Sequence, residues 1–256
     1  MVRDGSRGGN AAGAGCQVSA REVFQIQNAK TIKGESLGYT TLIRYLAPGN
    51  VSGYEVCASR GACSDTCLFT SGRAAVFPAI IESRIAKTWE RFHIREEHFS
   101  KMRREILNAE KRARLMGHKI AVRVNGTSDL TGDALTLARE FPHVQFYDYT
   151  KHLQVALRRD TLPSNYHVTL SHDPVSVPES DCRDALAMGV NVAVVFDTKR
   201  NENLPSRCWG SRVIDGDLHD LRFLDPQGKR GVIVGLRAKG EAKGDNSGFV
   251  VKAGDL

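Results

Sequence analysis

The sequence predicts an α/β protein whose parallel strands line a partial or complete (βα) TIM-like barrel, with a three-cysteine loop after the first strand. Three observations carry this. Four apolar runs, KIAVRVN (119–125), VQFYDYT (144–150), YHVTLSH (166–172) and NVAVVFDT (191–198), start roughly 22 to 25 residues apart, the size of one βα unit. The segments between them carry apolar residues at helical spacing. The runs themselves are apolar on both faces, as in parallel sheets covered by helices. An open doubly wound sheet shares these features and is the alternative.

Each element follows in order. Residues 1–19 (MVRDGSRGGNAAGAGCQVS) hold almost no large apolar side chain, so they cannot offset their ordering entropy and read as a flexible arm containing Cys16. Residues 20–256 read as a single barrel domain. YTTLIRYLA (39–47) is the first strand, and it precedes the cysteine loop. Residues 73–116 form two successive helices, the second stopping at Gly117. Shorter helices are expected at LTGDALTLAREF (130–141), KHLQVALRRD (151–160) and PESDCRDALAMG (178–189). SRVID (211–215) and GVIVGLRAK (231–239) close the chain. Counting the first strand gives six or seven, joined by right-handed crossovers.

The chain has 256 residues, 41% of them hydrophobic, enough for a sizeable core. No window approaches the roughly 18 apolar residues of a membrane span, and the N-terminus carries no apolar stretch of the secretory kind. The expectation is a cytoplasmic protein with reduced thiols. A net charge of +7 favours anionic partners, nucleic acid among them. Much of that charge sits on the two helices, at Arg84, Lys87, Arg91, Arg95, Lys101, Arg103, Arg104, Lys111, Arg112 and Arg114. Interleaved Glu82, Glu90, Glu96, Glu97, Glu105 and Glu110 equally suit a solvated outer face.

In either architecture the working face lies at the carboxyl ends of the strands. Polar groups collect there: Asn125 to Asp129, then Asp148, Thr150 and Lys151, then Ser171, His172 and Asp173. Asp197, Thr198 and Lys199 follow, and later Asp215, Asp217, His219, Asp220, Arg237 and Lys239. Turns favour Asp, Asn, Ser and Gly in any case. Lys151, Lys199 and Lys239 are not turn formers, yet occupy comparable positions. With Asp197 they are the candidates to hold or protonate a small, anionic or nucleotide-like ligand.

EVCASRGACSDTCLFTSGR places Cys57, Cys63 and Cys67 in one loop, spaced C-x5-C-x3-C. Reduced thiols so crowded read as metal ligands. Three thiolates are too few for a closed structural zinc site and the right number for a [4Fe–4S] cluster that leaves one iron open. Ala58, Ser59, Gly61, Ala62 and Ser64 are small enough to let the backbone approach such a cluster. The alternative is a zinc knuckle completed by Cys182, Cys208, His172 or His219. Cys182 falls on a helix and reads as packing, and Cys208 as core.

A first strand, a three-cysteine loop and a run of βα units resemble the radical S-adenosylmethionine superfamily. CLFTSGR, VRVNGTSDL, FYDYTK, VAVVFDTK, IDGDLHDLRFLDP and IVGLRAKGEAKGDNSGFVV together look like a family of iron–sulfur proteins encoded by bacteriophages and prophages. That likeness runs from about Tyr39 to the C-terminus and implies no activity of its own. The superfamily resemblance implies a barrel with a [4Fe–4S] cluster on Cys57, Cys63 and Cys67. It also implies S-adenosyl-L-methionine on the open iron, with Asn125, Ser128 and Asp129 touching that cofactor. The usual superfamily spacing is C-x3-C-x2-C with an aromatic before the last cysteine; here the loop is longer and Thr66 stands at that position. Two readings follow: an enzyme doing radical chemistry, or a non-catalytic iron–sulfur or zinc protein, structural or redox-sensing, whose basic helices bind nucleic acid.

Overall fold

The computed structural model describes residues 22–26, 28–67, 69 and 76–255; the expected arm 1–19 and Cys16 lie outside the described residues. Ten strands form one sheet: β1 (Phe24–Gln25), β2 (Tyr39–Arg44), β3 (Lys119–Arg123), β4 (Gln145–Thr150), β5 (Tyr166–Ser171), β6 (Val192–Phe196), β7 (Arg207–Cys208), β8 (Ser211–Asp215), β9 (Ile233–Arg237) and β10 (Val250–Val251). The helices are α1 (Ala29–Glu35), α2 (Gly49–Ser52), α3 (Pro78–His93), α4 (Arg95–Leu115), α5 (Thr131–Glu140), α6 (Leu153–Leu157) and α7 (Glu179–Ala187).

All seven strands expected from the sequence are present, and their mutual pairings are parallel. The order is β1-β2-β3-β4-β5-β6-β9-β8-β7, and the sheet is open. From β2 to β6 the spatial order is the chain order, without the central reversal of a doubly wound sheet. The last two long strands arrive inverted, β9 beside β6 and β8 outside it. The sheet splays where β5 and β6 part: β5 pairs with Val192 and Ala193, while β10 pairs with Val195 and Phe196.

One face is largely apolar and carries α4, α5 and α7. Leu42, Ile120, Val122, Val124, Phe146 and Val168 pack against Phe99, Met102 and Ile106 of α4 and Ala134 and Leu137 of α5. Phe99, Met102, Ile106, Ala109 and Ala113 make the buried stripe of α4, the period of an amphipathic helix. Farther along, Leu170, Val192, Val194, Phe196 and Ile233 meet Cys182, Ala185 and Leu186 of α7. Each large side chain so buried contributes about 1.5–3 kcal/mol.

The opposite face departs from the expectation of apolarity on both sides. It carries Thr41, Arg123, Tyr147 and Thr169, and is covered by α1 and by Leu221 and Phe223. Arg123 Nη1 donates to both oxygens of Asp220, at 2.9 and 3.1 Å. Tyr147 Oη donates to the same carboxylate at 3.3 Å, and Lys30 Nζ lies 3.3 Å from it. Burial alone would raise the Asp220 carboxyl, but Arg123 and Lys30 hold it well below the usual carboxylate range. A charged strand residue is tolerated here because a later segment brings it a counter-ion.

Candidate functional site

The chain leaves β2 at Arg44, turns through α2 and enters the cysteine loop. That loop is fastened across the carboxyl ends of three further strands. After β3, Gly126 N donates to Arg44 O at 2.9 Å, Thr127 Oγ1 to Leu46 O at 2.7 Å and Asp129 N to Val56 O at 2.7 Å. A Cβ on Gly126 would stand 2.6 Å from Arg44 O, so only glycine permits this approach. After β4, His152 Nδ1 lies 3.0 Å from Ser59 Oγ. After β5, the Asp173 carboxylate accepts from Ala62 N at 3.1 Å and Cys63 N at 3.0 Å. From behind, Arg84 of α3 donates to Phe69 O at 2.8 Å.

Cys57, Cys63 and Cys67 are each half-buried and in no disulfide, and their fields reach one another. Burial first, then Asp129, Cys67 and Cys63, push the Cys57 thiol up to about 12, against the opposing charge of Lys151. Burial and Cys63 raise Cys67, against the Phe69 backbone N–H, Lys151 and Arg84. Three thiolates would therefore repel in this desolvated place, which favours protons or a metal core that replaces them. Beside Cys67, the Thr66 hydroxyl and Arg84 Nε are buried without a hydrogen-bond partner. Among the described residues no group of three or more His, Cys, Asp or Glu side chains is arranged to hold a metal ion. The donor set and its orphaned neighbours suit a thiophilic group, and binding one would require the loop to draw its thiols together.

The other expected site residues divide. Lys151 and Asp129 stand with the cysteines: Asp129 Oδ2 accepts from Lys151 N at 2.8 Å and Thr150 Oγ1 at 3.2 Å. Burial raises the Asp129 carboxyl, partly offset by Lys151 N, His152 and Thr150. Asn125 and Ser128 lie just beneath and are occupied by the fold. Asn125 donates its N and Nδ2 to Asp148, while its Oδ1 accepts from Ser128 Oγ and Leu130 N. Asp197, Lys199 and Lys239 serve other contacts. Asp197 accepts from Ala253 N and so docks the C-terminal segment, Lys199 is exposed beside Glu202, and Lys239 Nζ donates to Asp217 at 2.6 Å. Cys182 and Cys208 are core residues, as expected.

Sequence reasoning passed over His152 and gave Asp173 no role, although its place at a strand end was the available signal. It also read Arg44 as ordinary strand. Arg44 is fully buried and donates to Val124 O and Asp133, and Arg91 grips the same carboxylate at 2.6 and 2.7 Å. Much of the basic tract likewise turns inward. Lys87 is buried, and Lys101 pairs with the buried Glu90.

No helix among the described residues is long and apolar enough to cross a membrane. No curated protein matches the chain, and no solved structure does. The protein family described as Gene product 88 matches residues 20–253, which span every strand and helix named above. The chain belongs to the Gene product 88 family, a phage-type protein family.

Proposed function

We propose that Cys57, Cys63 and Cys67 hold a [4Fe–4S] cluster at the open end of a partial (βα) barrel, and that the iron left free takes S-adenosyl-L-methionine. The observation that carries this is that Cys57, Cys63 and Cys67 share one loop at the carboxyl ends of parallel strands, near enough for their charges to act on one another, with Cys57 and Cys67 desolvated. A reduced cluster supplies a single electron to whatever its open iron binds. The chain's own residues do the rest. Lys151 and Arg84 bring positive charge to the thiols, which suits a small or nucleotide-like anionic substrate. Asp129 is the carboxylate whose charge acts on Cys57, and it is the residue to orient a cationic group there. Asn125 and Ser128 hold the loop that carries Asp129 rather than touch the cofactor.

The competing reading keeps the cluster, or zinc, as a structural or redox-sensing group and gives the helices to nucleic acid. It has less support, because Arg84, Lys87, Arg91 and Lys101 spend their charge on buried or part-buried contacts. Arg104, Lys111, Arg112 and Arg114 are exposed along α4 and would be its footprint. Electron paramagnetic resonance on reduced protein, purified without oxygen, separates the two. A signal that shifts on adding S-adenosyl-L-methionine is expected; an unshifted signal, with steeply salt-dependent RNA or DNA binding, would favour the competitor.

A further inference from the structure

We infer that Asp173 is the positioning residue of the cysteine loop, clamping the Gly61–Cys63 backbone to the carboxyl end of β5 and so fixing where Cys63 stands. Asp173 is fully buried and accepts four backbone N–H groups. Oδ1 takes Ala62 N at 3.1 Å, Val175 N at 3.0 Å and Ser176 N at 3.2 Å, and Oδ2 takes Cys63 N at 3.0 Å. Two of these donors belong to its own turn, which an Asp173–Val177 bridge closes. The other two belong to a segment 110 and 111 residues away in sequence. Bonds to an ionised acceptor are the strong ones, so this single side chain ties the loop to the sheet.

The loop is shaped to receive it. A Cβ on Gly61 would stand 2.0 Å from Asp173 Oδ1 and 3.0 Å from Val175 Cβ, so the carboxylate reaches the backbone only because position 61 is glycine. This also accounts for the long first spacing, C-x5-C. Of the five residues between Cys57 and Cys63, Ser59 reaches His152 after β4, while Gly61 and Ala62 reach Asp173 after β5. A shorter spacing would delete the residues that make those contacts.

The clamp matters to a cluster only if the iron–sulfur reading holds, so it is tested on metal-free, reduced full-length chain. Each thiol's rate of alkylation by iodoacetamide is followed by mass spectrometry. Asp173→Ala and Gly61→Ala should each speed modification of Cys63 by about tenfold or more, since losing even one charge-assisted bond is a factor of that order in a local opening equilibrium. Buried Cys182 and Cys208 should stay protected and report that the fold is intact. Asp173→Asn keeps the Oδ1 acceptor and loses the one facing Cys63 N, so its effect should fall between wild type and Asp173→Ala. Cys63 rates within about twofold of wild type in both alanine variants, with Cys182 and Cys208 protected, would overturn the clamp. If Asp173→Ala exposes the core thiols, Gly61→Ala decides by the same criterion. A wild-type chain that takes up no iron, while Cys63 still responds, would overturn the iron–sulfur reading and leave the clamp standing.

Discussion

Asp133→Ala removes the α5 carboxylate that Arg44 at the end of β2 and Arg91 of α3 grip closely, with Arg95 farther off at 4.0 Å. Arg44 is fully buried; its Nε donates to Val124 O at 3.0 Å and its Nη1 to Asp133 Oδ2 at 3.0 Å. Arg91 adds a two-pronged grip on the same group at 2.6 and 2.7 Å. Without Asp133, Arg44 is an uncompensated buried cation, which costs about 3–5 kcal/mol. Arg91 is 17% exposed and can turn to water, adding less than about 1 kcal/mol. The total is a large share of the roughly 5–15 kcal/mol that holds a domain together. Urea unfolding, read by the fluorescence of Trp89 and Trp209, should show a midpoint lower by about 1–2 M at a typical slope. Arg44→Met in the Asp133→Ala background should recover more than half of the loss, because the stranded charge is the main cost. A cost below about 1 kcal/mol for Asp133→Ala, or a double variant equal to the sum of the singles, would refute this reasoning.

Three further outcomes are expected. His98 is fully buried; burial, reinforced by Arg44 and opposed by Glu90, lowers it to about 4. Its folded value lies below its unfolded one, so its contribution is full above about pH 6.5 and is lost as pH falls through about 4, on the order of 3 kcal/mol. Asp148, raised to about 7 by burial, works in the opposite sense over the same window. The quantity to read is therefore the difference between wild type and His98→Gln in urea midpoint from pH 7 to 4; a pH-independent difference would contradict it. Cys57→Ala, Cys63→Ala and Cys67→Ala should each abolish a brown chromophore, whereas Cys16→Ala, Cys182→Ala and Cys208→Ala should keep it; an unchanged spectrum in Cys63→Ala would contradict the ligand assignment. Lys199→Ala should leave stability within about 0.5 kcal/mol and leave ligand binding unchanged, whereas Lys151→Ala should weaken ligand binding measured by calorimetry. The reverse ranking would move the site to the segment after β6.

The long strands and helices were legible because their periodicity is strong and local. KIAVRVN, VQFYDYT and NVAVVFDT each end where the sheet ends them, within about two residues. β1 and β10 have two residues each, too few to show a period, and β10 exists only because β5 and β6 part to admit it. The inversion of β8 and β9 is a tertiary choice with no local mark. The sheet is also open, so strand-end position alone does not gather Lys151, Asp197, Lys199 and Lys239 into one ring. That Cys57, Cys63 and Cys67 share one loop after the first strand is legible from their spacing. The carboxylate that fastens that loop was not, since Asp173 looks like any turn residue until the chain folds and Gly61 comes to lie against it. Arg44 and Arg123 were hidden for the same reason: a charged residue in an apolar run is interpretable only once Asp133 and Asp220 are known to meet it.

The most direct test is iron and acid-labile sulfide content of protein purified without oxygen, with zinc measured on the same sample. The account predicts about four irons and four sulfides per chain, the content of one [4Fe–4S] cluster, lost together in Cys63→Ala. Stoichiometric zinc, or a metal-free chain that takes up no iron on reconstitution, would contradict it.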